Sequence, residues 1–201
     1  MTDLKLGILL WSQGTDWGPM VETARRVDRL GYDSLWTWDH LYAIYGAPYQ
    51  PIFGGYEVLA GWAVATERAK LGLLVGANTF RNPGIVAKSV ATLDHISGGR
   101  AIAGLGGAWF DLEHTAHGID FGTGFGQRLD WLDESVGIIR RLLDGRLAVV
   151  VLDLALAFGA LEGEHLRRVL GGVEGQAAPG TVHAANTSEQ GSTGGGSTEM
   201  S

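Results

Sequence analysis

Apolar positions along the first 145 residues alternate between short continuous runs and stripes spaced three or four apart. Leu6 to Trp11 (LGILLW) is continuous and apolar, the pattern of a strand covered on both faces of a parallel sheet. Polar residues follow, and Gly18-Pro19 opens a helix with proline at its first position, where the missing N–H costs nothing; Val21, Ala24, Val27 and Leu30 share its inner face. Gly31 ends that helix, and residues 34–38 read as a second strand. A loop rich in aromatics and proline then leads to a helix over 56–66. Residues 71–76 form a third strand. Pro83 starts a helix that turns Ile85, Val86, Val90, Leu93 and Ile96 inward and stops at Ser97-Gly98-Gly99, where glycine suits a left-handed cap. Residues 101–105 are a fourth strand. The stripe Leu129, Leu132, Val136, Ile139 and Leu143 marks a fourth helix, closed by Asp144-Gly145.

Four β-then-α units in succession predict an α/β fold with a parallel sheet and helical crossovers. The long, chemically loaded loops, 12–16, 39–54, 77–82 and 106–124, all follow strands, and parallel folds bind ligands at that end. Beyond Gly145 the pattern weakens. Residues 147–156 are a candidate fifth strand and 163–170 a candidate short helix. All aromatics except Phe158 lie at or before Trp131, and residues 171–201 are dominated by Gly, Ser, Thr and Ala, so a disordered tail is expected there.

Composition narrows the classes further. The 201 residues carry a net charge of -7, which argues against a nucleic-acid partner, and no lysine follows Lys88. Without cysteine there is no disulfide scaffold, thiolate metal site or cysteine nucleophile. The longest apolar stretch, 147–161, is broken by Asp153 and falls short of the ~20 residues of a membrane span. With no leader pattern after Met1, a cytoplasmic protein is expected.

Asp39-His40 follows the second strand, so both side chains can reach the cleft between the loops. Histidine is the residue most easily poised for proton transfer near neutral pH, and an adjacent carboxylate can orient it; a helix cap and a hydrogen-bonded structural histidine explain the same pair. After the third strand, Thr79 offers a hydroxyl and Arg81 a bidentate anion clamp, although a helix-entry turn accounts for both. Gly104-Leu105-Gly106-Gly107-Ala108-Trp109 begins like a dinucleotide fingerprint, but Trp109 is too bulky for its sixth position. The glycines there admit a flat ring, and Trp109 could stack on it or simply pack. Glu113, His114 and His117 invite a metal reading, because His at i and i+3 can share a helical face, but the histidine pair lacks a third ligand at a diagnostic spacing, so solvated helix surface is the expectation and no metal is assigned.

Four strand-end motifs occur together and in order: Trp38-Asp39-His40, Asn78 to Pro83 (NTFRNP), Thr92 to Arg100 (TLDHISGGR) and Gly104 to Trp109 (GLGGAW). Over residues 4–145 the chain resembles the bacterial luciferase-like monooxygenase superfamily, and specifically its branch of oxidoreductases dependent on coenzyme F420. The resemblance implies a (β/α)8 TIM barrel that transfers hydride or oxygen at a reduced F420 ring, or alternatively FMN, on a small organic substrate. It implies that His40 is the catalytic proton donor or acceptor, with Asp39 beside it contacting the cofactor. A strand-three bulge, often with a cis peptide, aligns at Leu74, Val75 and Gly76 and would support one ring face, with Thr79 beyond it. Gly106 and Gly107 match the turn passing the ring, and Trp11 and Trp109 line the implied substrate pocket.

Relatives continue with four further βα units that hold the cofactor's phosphate tail, and residues 146–170 do not read as that continuation. The expectation is therefore an N-terminal half-barrel of four to five units, truncated or frame-altered. Its open sheet edges call for cover, for which a homodimer restoring eight strands is expected. The competing reading is a non-catalytic fragment or binding module that lacks the phosphate site.

Overall fold

The computed structural model describes residues 4–143 and 149–152. Its elements run β1 (Gly7–Leu9), α1 (Trp17–Leu30), β2 (Ser34–Thr37), α2 (Gly55–Ala65), β3 (Lys70–Leu73), β4 (Gly76–Ala77), a 3-10 turn (Asn78–Phe80), α3 (Pro83–Ser97), β5 (Ala101–Gly106), α4 (Asp111–His117), α5 (Phe125–Leu142) and β6 (Val149–Leu152). Every pairing within the sheet is parallel: β1 to β2, β2 to β3, β3 and β4 to β5, and β5 to β6. Strands therefore lie side by side in chain order, as right-handed βα crossovers dictate. The fold class is α/β with a parallel sheet, and β6 falls inside the stretch 147–156 expected as a fifth strand. Asp144-Gly145, the candidate helix 163–170 and the tail 171–201 lie outside the described residues.

Leu35, Leu71, Leu73, Ala103 and Leu105 point from the sheet into the helical layer, where they meet Val21 and Ala24 of α1, Val58, Leu59 and Trp62 of α2, Val86, Val90 and Leu93 of α3, and Leu129, Leu132 and Ile139 of α5. These side chains are almost wholly removed from water, and the valines, leucines and isoleucine among them each contribute about 1.5–3 kcal/mol to folding. The opposite face is packed differently. Trp36 lies over two glycines, and a Cβ on Gly72 would sit 2.7 Å from its ring while one on Gly7 would sit 2.6 Å from its indole nitrogen.

Several expected details change. Pro19 occupies the third position of α1 rather than the first, which is equally tolerated because the first four helical N–H groups have no partner within the helix. Leu30 is exposed at the end of α1, and Ile85 and Ile96 are exposed because each lies one position, about 100° around the helix, from the buried stripe Val86, Val90, Leu93 and Ser97 of α3. The third strand splits into β3 and β4 around Leu74–Val75, whose peptide bond is cis. The short helix α4 forms inside the expected loop 106–124.

The end of the sheet where strands begin is tied down by two buried charges. Asp28 of α1 accepts the N–H groups of Glu67, Arg68 and Ala69 at 2.9, 3.1 and 2.7 Å. Arg100 donates to the carbonyls of Ala63, Thr66, Ala69 and Ser97 and to Thr66 Oγ1, all within 3.0 Å, so it closes the C-terminus of α2. Among the described residues no helix is long and apolar enough to cross a membrane.

Candidate active site

Strand β2 runs directly into Trp38-Asp39-His40 at the end of the sheet that carries the long loops. Asp39 is buried, its side chain 2% exposed, and faces Arg81 in a two-pronged contact: Nη1 to Oδ2 at 2.5 Å and Nη2 to Oδ1 at 3.0 Å. The Ala77 N–H donates to Oδ2 at 3.2 Å, which ties β4 to the same carboxylate. Burial pushes the Asp39 carboxyl above its ordinary value, against the opposing pull of Arg81 and the Ala77 N–H. Burial works to lower Arg81, yet its hydrogen bond to Asp39 and the carboxylate charge prevail and raise it. The guanidinium also lies 5.1 Å above the Tyr56 ring, whose phenol is pushed up by burial and by the Asp39 charge.

His40 turns toward α4. Its Nδ1 lies 3.0 and 3.1 Å from the two carboxylate oxygens of Glu113, while Glu113 Oε1 also accepts the main-chain N–H groups of Leu41 at 2.6 Å and Tyr42 at 3.0 Å. Nε2 of His40 has no hydrogen-bond partner among the described residues. Three rings meet the imidazole edge to face, Trp38 at 6.0 Å, Trp109 at 5.6 Å and Phe110 at 6.3 Å. On one flank Trp11 stacks on Trp38 and Tyr45, and on the other Trp109 stacks on Phe110. Trp11 and Trp109 remain about half exposed, so the wall keeps apolar surface open to a ligand.

The neighbouring His114 is fully buried. Nδ1 donates to the Phe110 carbonyl at 2.8 Å, which leaves Nε2 to accept the Thr79 hydroxyl at 2.7 Å. Glu113 and His114 thus reach two different loops from adjacent positions of one short helix. The expectation of solvated helix surface is overturned for both, each being 1% exposed, whereas His117 is exposed. No signal local to α4 could have shown this, because the groups they satisfy lie 35 to 73 residues away in sequence. Among the described residues no cluster of three His, Asp or Glu is placed to hold a metal.

Other candidates fall as follows. Leu74 and Val75 flank the cis peptide, and a Cβ on Gly76 would lie 3.7 Å from Asp39 Oδ2. Gly106 ends β5 opposite Ala77. A Cβ on Gly107 would make only ordinary contact with Leu129 and Phe125, so crowding on that side does not demand the glycine. Arg81 is engaged by Asp39 and does not serve as a free anion clamp. Arg128 lies over the Phe121 ring at 3.9 Å and donates to the Phe121 carbonyl. Among the described residues Ser12 Oγ and the Trp38 indole N–H are buried at this end without a partner, polar groups that suit the edge of a flat, heteroatom-bearing ligand.

Comparison with known proteins completes the picture. Residues 6–191 match the family model described as luciferase-like monooxygenase. The chain is 34% identical over 128 residues to an F420-dependent glucose-6-phosphate dehydrogenase of Amycolatopsis mediterranei, covering 61% of this chain and 37% of that protein. It is 30% identical over 139 residues to the 4-hydroxyprotoasukamycin monooxygenase of Streptomyces nodosus subsp. asukaensis, covering 69% and 33%. A solved monooxygenase from Streptomyces bottropensis superposes with a TM-score of 0.57 at 27% identity, over 69% of this chain and 42% of that one. The chain spans between a third and two fifths of the length of these curated relatives.

Proposed function

The chain belongs to the luciferase-like monooxygenase family of TIM barrels, and from that premise we propose that it carries the front of an oxidoreductase site, where a small organic substrate exchanges hydride with F420 or, alternatively, FMN, or takes one atom of O2 while the reduced cofactor supplies two electrons and the other oxygen atom leaves as water. The observation behind this reading is His40, an imidazole held by a buried carboxylate at Nδ1, with Nε2 left without a partner beside an exposed aromatic wall. Such a group can take up or return one proton while a bound ring handles the electron pair.

The cofactor, when bound, supplies the two-electron chemistry. The backbone at Leu74, Val75 and Gly76 would support one face of its ring, with Thr79 at its edge and Gly106 and Gly107 passing beside it. Asp39 is an orienting group in this scheme, because Arg81 and the Ala77 N–H already occupy its oxygens. His40 would exchange its proton at Nε2. Trp11 and Trp109 would exclude water from the substrate side. Nothing beyond the ring is assigned a holder, because Arg81 and Arg128 are committed to protein partners.

That commitment favours a second reading, a half-barrel binding module without catalysis. Titration with F420 and with FMN, followed by fluorescence quenching, separates the two. Saturable binding of one cofactor with turnover lost in His40→Ala supports the oxidoreductase; absence of binding below millimolar concentration supports the module.

A further inference from the structure

The pairing of half-buried His40 with buried Glu113 carries a more specific consequence. Glu113 is 1% exposed and is borne by α4, an element separate from the loop that bears His40. Two main-chain N–H groups, Leu41 and Tyr42, point at Oε1, and His40 is the residue that pairs with this carboxylate ionically among the described residues. An ionised carboxylate only accepts hydrogen bonds, so the imidazole nitrogen facing it must bear hydrogen.

We propose that Glu113 is a positioning residue that fixes His40 in the Nδ1–H tautomer, so that the neutral imidazole presents Nε2 as an acceptor for a ligand O–H or N–H. The assignment of Nε2 as the proton-handling atom rests on the oxidoreductase reading, whereas the tautomer is a property of the chain itself. A proton moving from such a ligand to Nε2 yields an imidazolium whose opposite edge already meets a carboxylate. No second proton has to move, because Nδ1 already bears its hydrogen toward Glu113.

Replacement by glutamine makes the proposal falsifiable, because the isosteric amide has one acceptor and one donor end. Leu41 and Tyr42 N–H hold its oxygen at the Oε1 position, and because Nδ1 lies 3.0 Å from Oε1 and 3.1 Å from Oε2, one acceptor stays beside Nδ1 while an NH2 group now opposes it. The preference for Nδ1–H is thereby weakened and the Nε2–H share rises. Long-range proton–nitrogen correlation spectra of the 15N-labelled chain read both tautomers directly, with the His40 signal assigned by its loss in His40→Ala. The expected result is an Nδ1–H pattern in the native chain and a larger share of Nε2–H in Glu113→Gln. An Nε2–H pattern in the native chain, or an identical tautomer ratio after substitution, overturns the proposal. If the variant does not fold, the native spectrum alone still decides. No cofactor is present in these samples, so failure of the cofactor titration leaves this test standing, and failure here leaves the titration result untouched.

Discussion

Arg81 and Asp39, 42 residues apart in sequence, meet as a buried two-pronged ion pair that joins the loop after β4 to the end of β2. Removing one partner strands the other charge away from water, which costs about 3–5 kcal/mol where burial is complete. The Arg81 side chain is 24% exposed, so the lower end applies. Arg81→Ala should lower stability by about 3 kcal/mol in urea unfolding, and Arg81→Met combined with Asp39→Leu should cost clearly less than the two single changes added together. Additive losses would mean that the pair is not coupled.

Acid should weaken the tie between α1 and the turn before β3. Burial works to raise the Asp28 carboxyl, but the N–H groups of Glu67, Ala69 and Arg68 prevail and hold it below its ordinary 3.8. A carboxyl lowered in the folded state adds stability that is complete above the unfolded value and disappears as pH falls through the folded one. Native protein should therefore exceed Asp28→Asn in urea midpoint at pH 7, and the gap should narrow progressively below about pH 4. A gap that is constant from pH 7 to pH 2 would contradict this.

Ala108 stands in the left-handed region, with φ of 64°, where a Cβ costs roughly 1–2 kcal/mol. Ala108→Gly relieves that strain and gives back about 0.4–1 kcal/mol through a freer unfolded chain. The net expectation is stabilisation on the order of 1 kcal/mol, visible as a raised thermal midpoint with unchanged circular dichroism.

The succession of strands and helices could be read because each element carries its own periodicity. Leu129 to Leu143 keeps helical spacing, and all five residues of that stripe are buried. In α3 the apolar residues offer two neighbouring faces, and Ile85 and Ile96 lie on the one that faces water while Val86, Val90 and Leu93 meet the core, a choice that apolar spacing alone does not encode. The chemistry divides in the same way. Asp39 and His40 stood out by adjacency to a strand end, and the bulge at Leu74-Val75 came through resemblance to a family. Glu113 and His114 were hidden because α4 has only seven residues and shows no stripe, and because their partners lie in loops after other strands. Arg81 was visible as a cation, but its partner was not, so its role moved from anion binding to bracing Asp39.

Because every strand points the same way, the two borders of the sheet are not interchangeable. β1 lies on one border, and β6 has β5 as its neighbour on the other. A two-fold axis lying across the strands would set like borders antiparallel and break the pattern. Two copies can continue a parallel sheet only about an axis along the strand direction, with β6 of each copy meeting β1 of the other. Counting β3 and β4 as one interrupted strand, each copy carries five strands among its described residues, so such a ring would hold ten staves rather than eight. A ten-staved ring is wider than a single-chain barrel, and its middle would need more than the flat Trp36 to fill it.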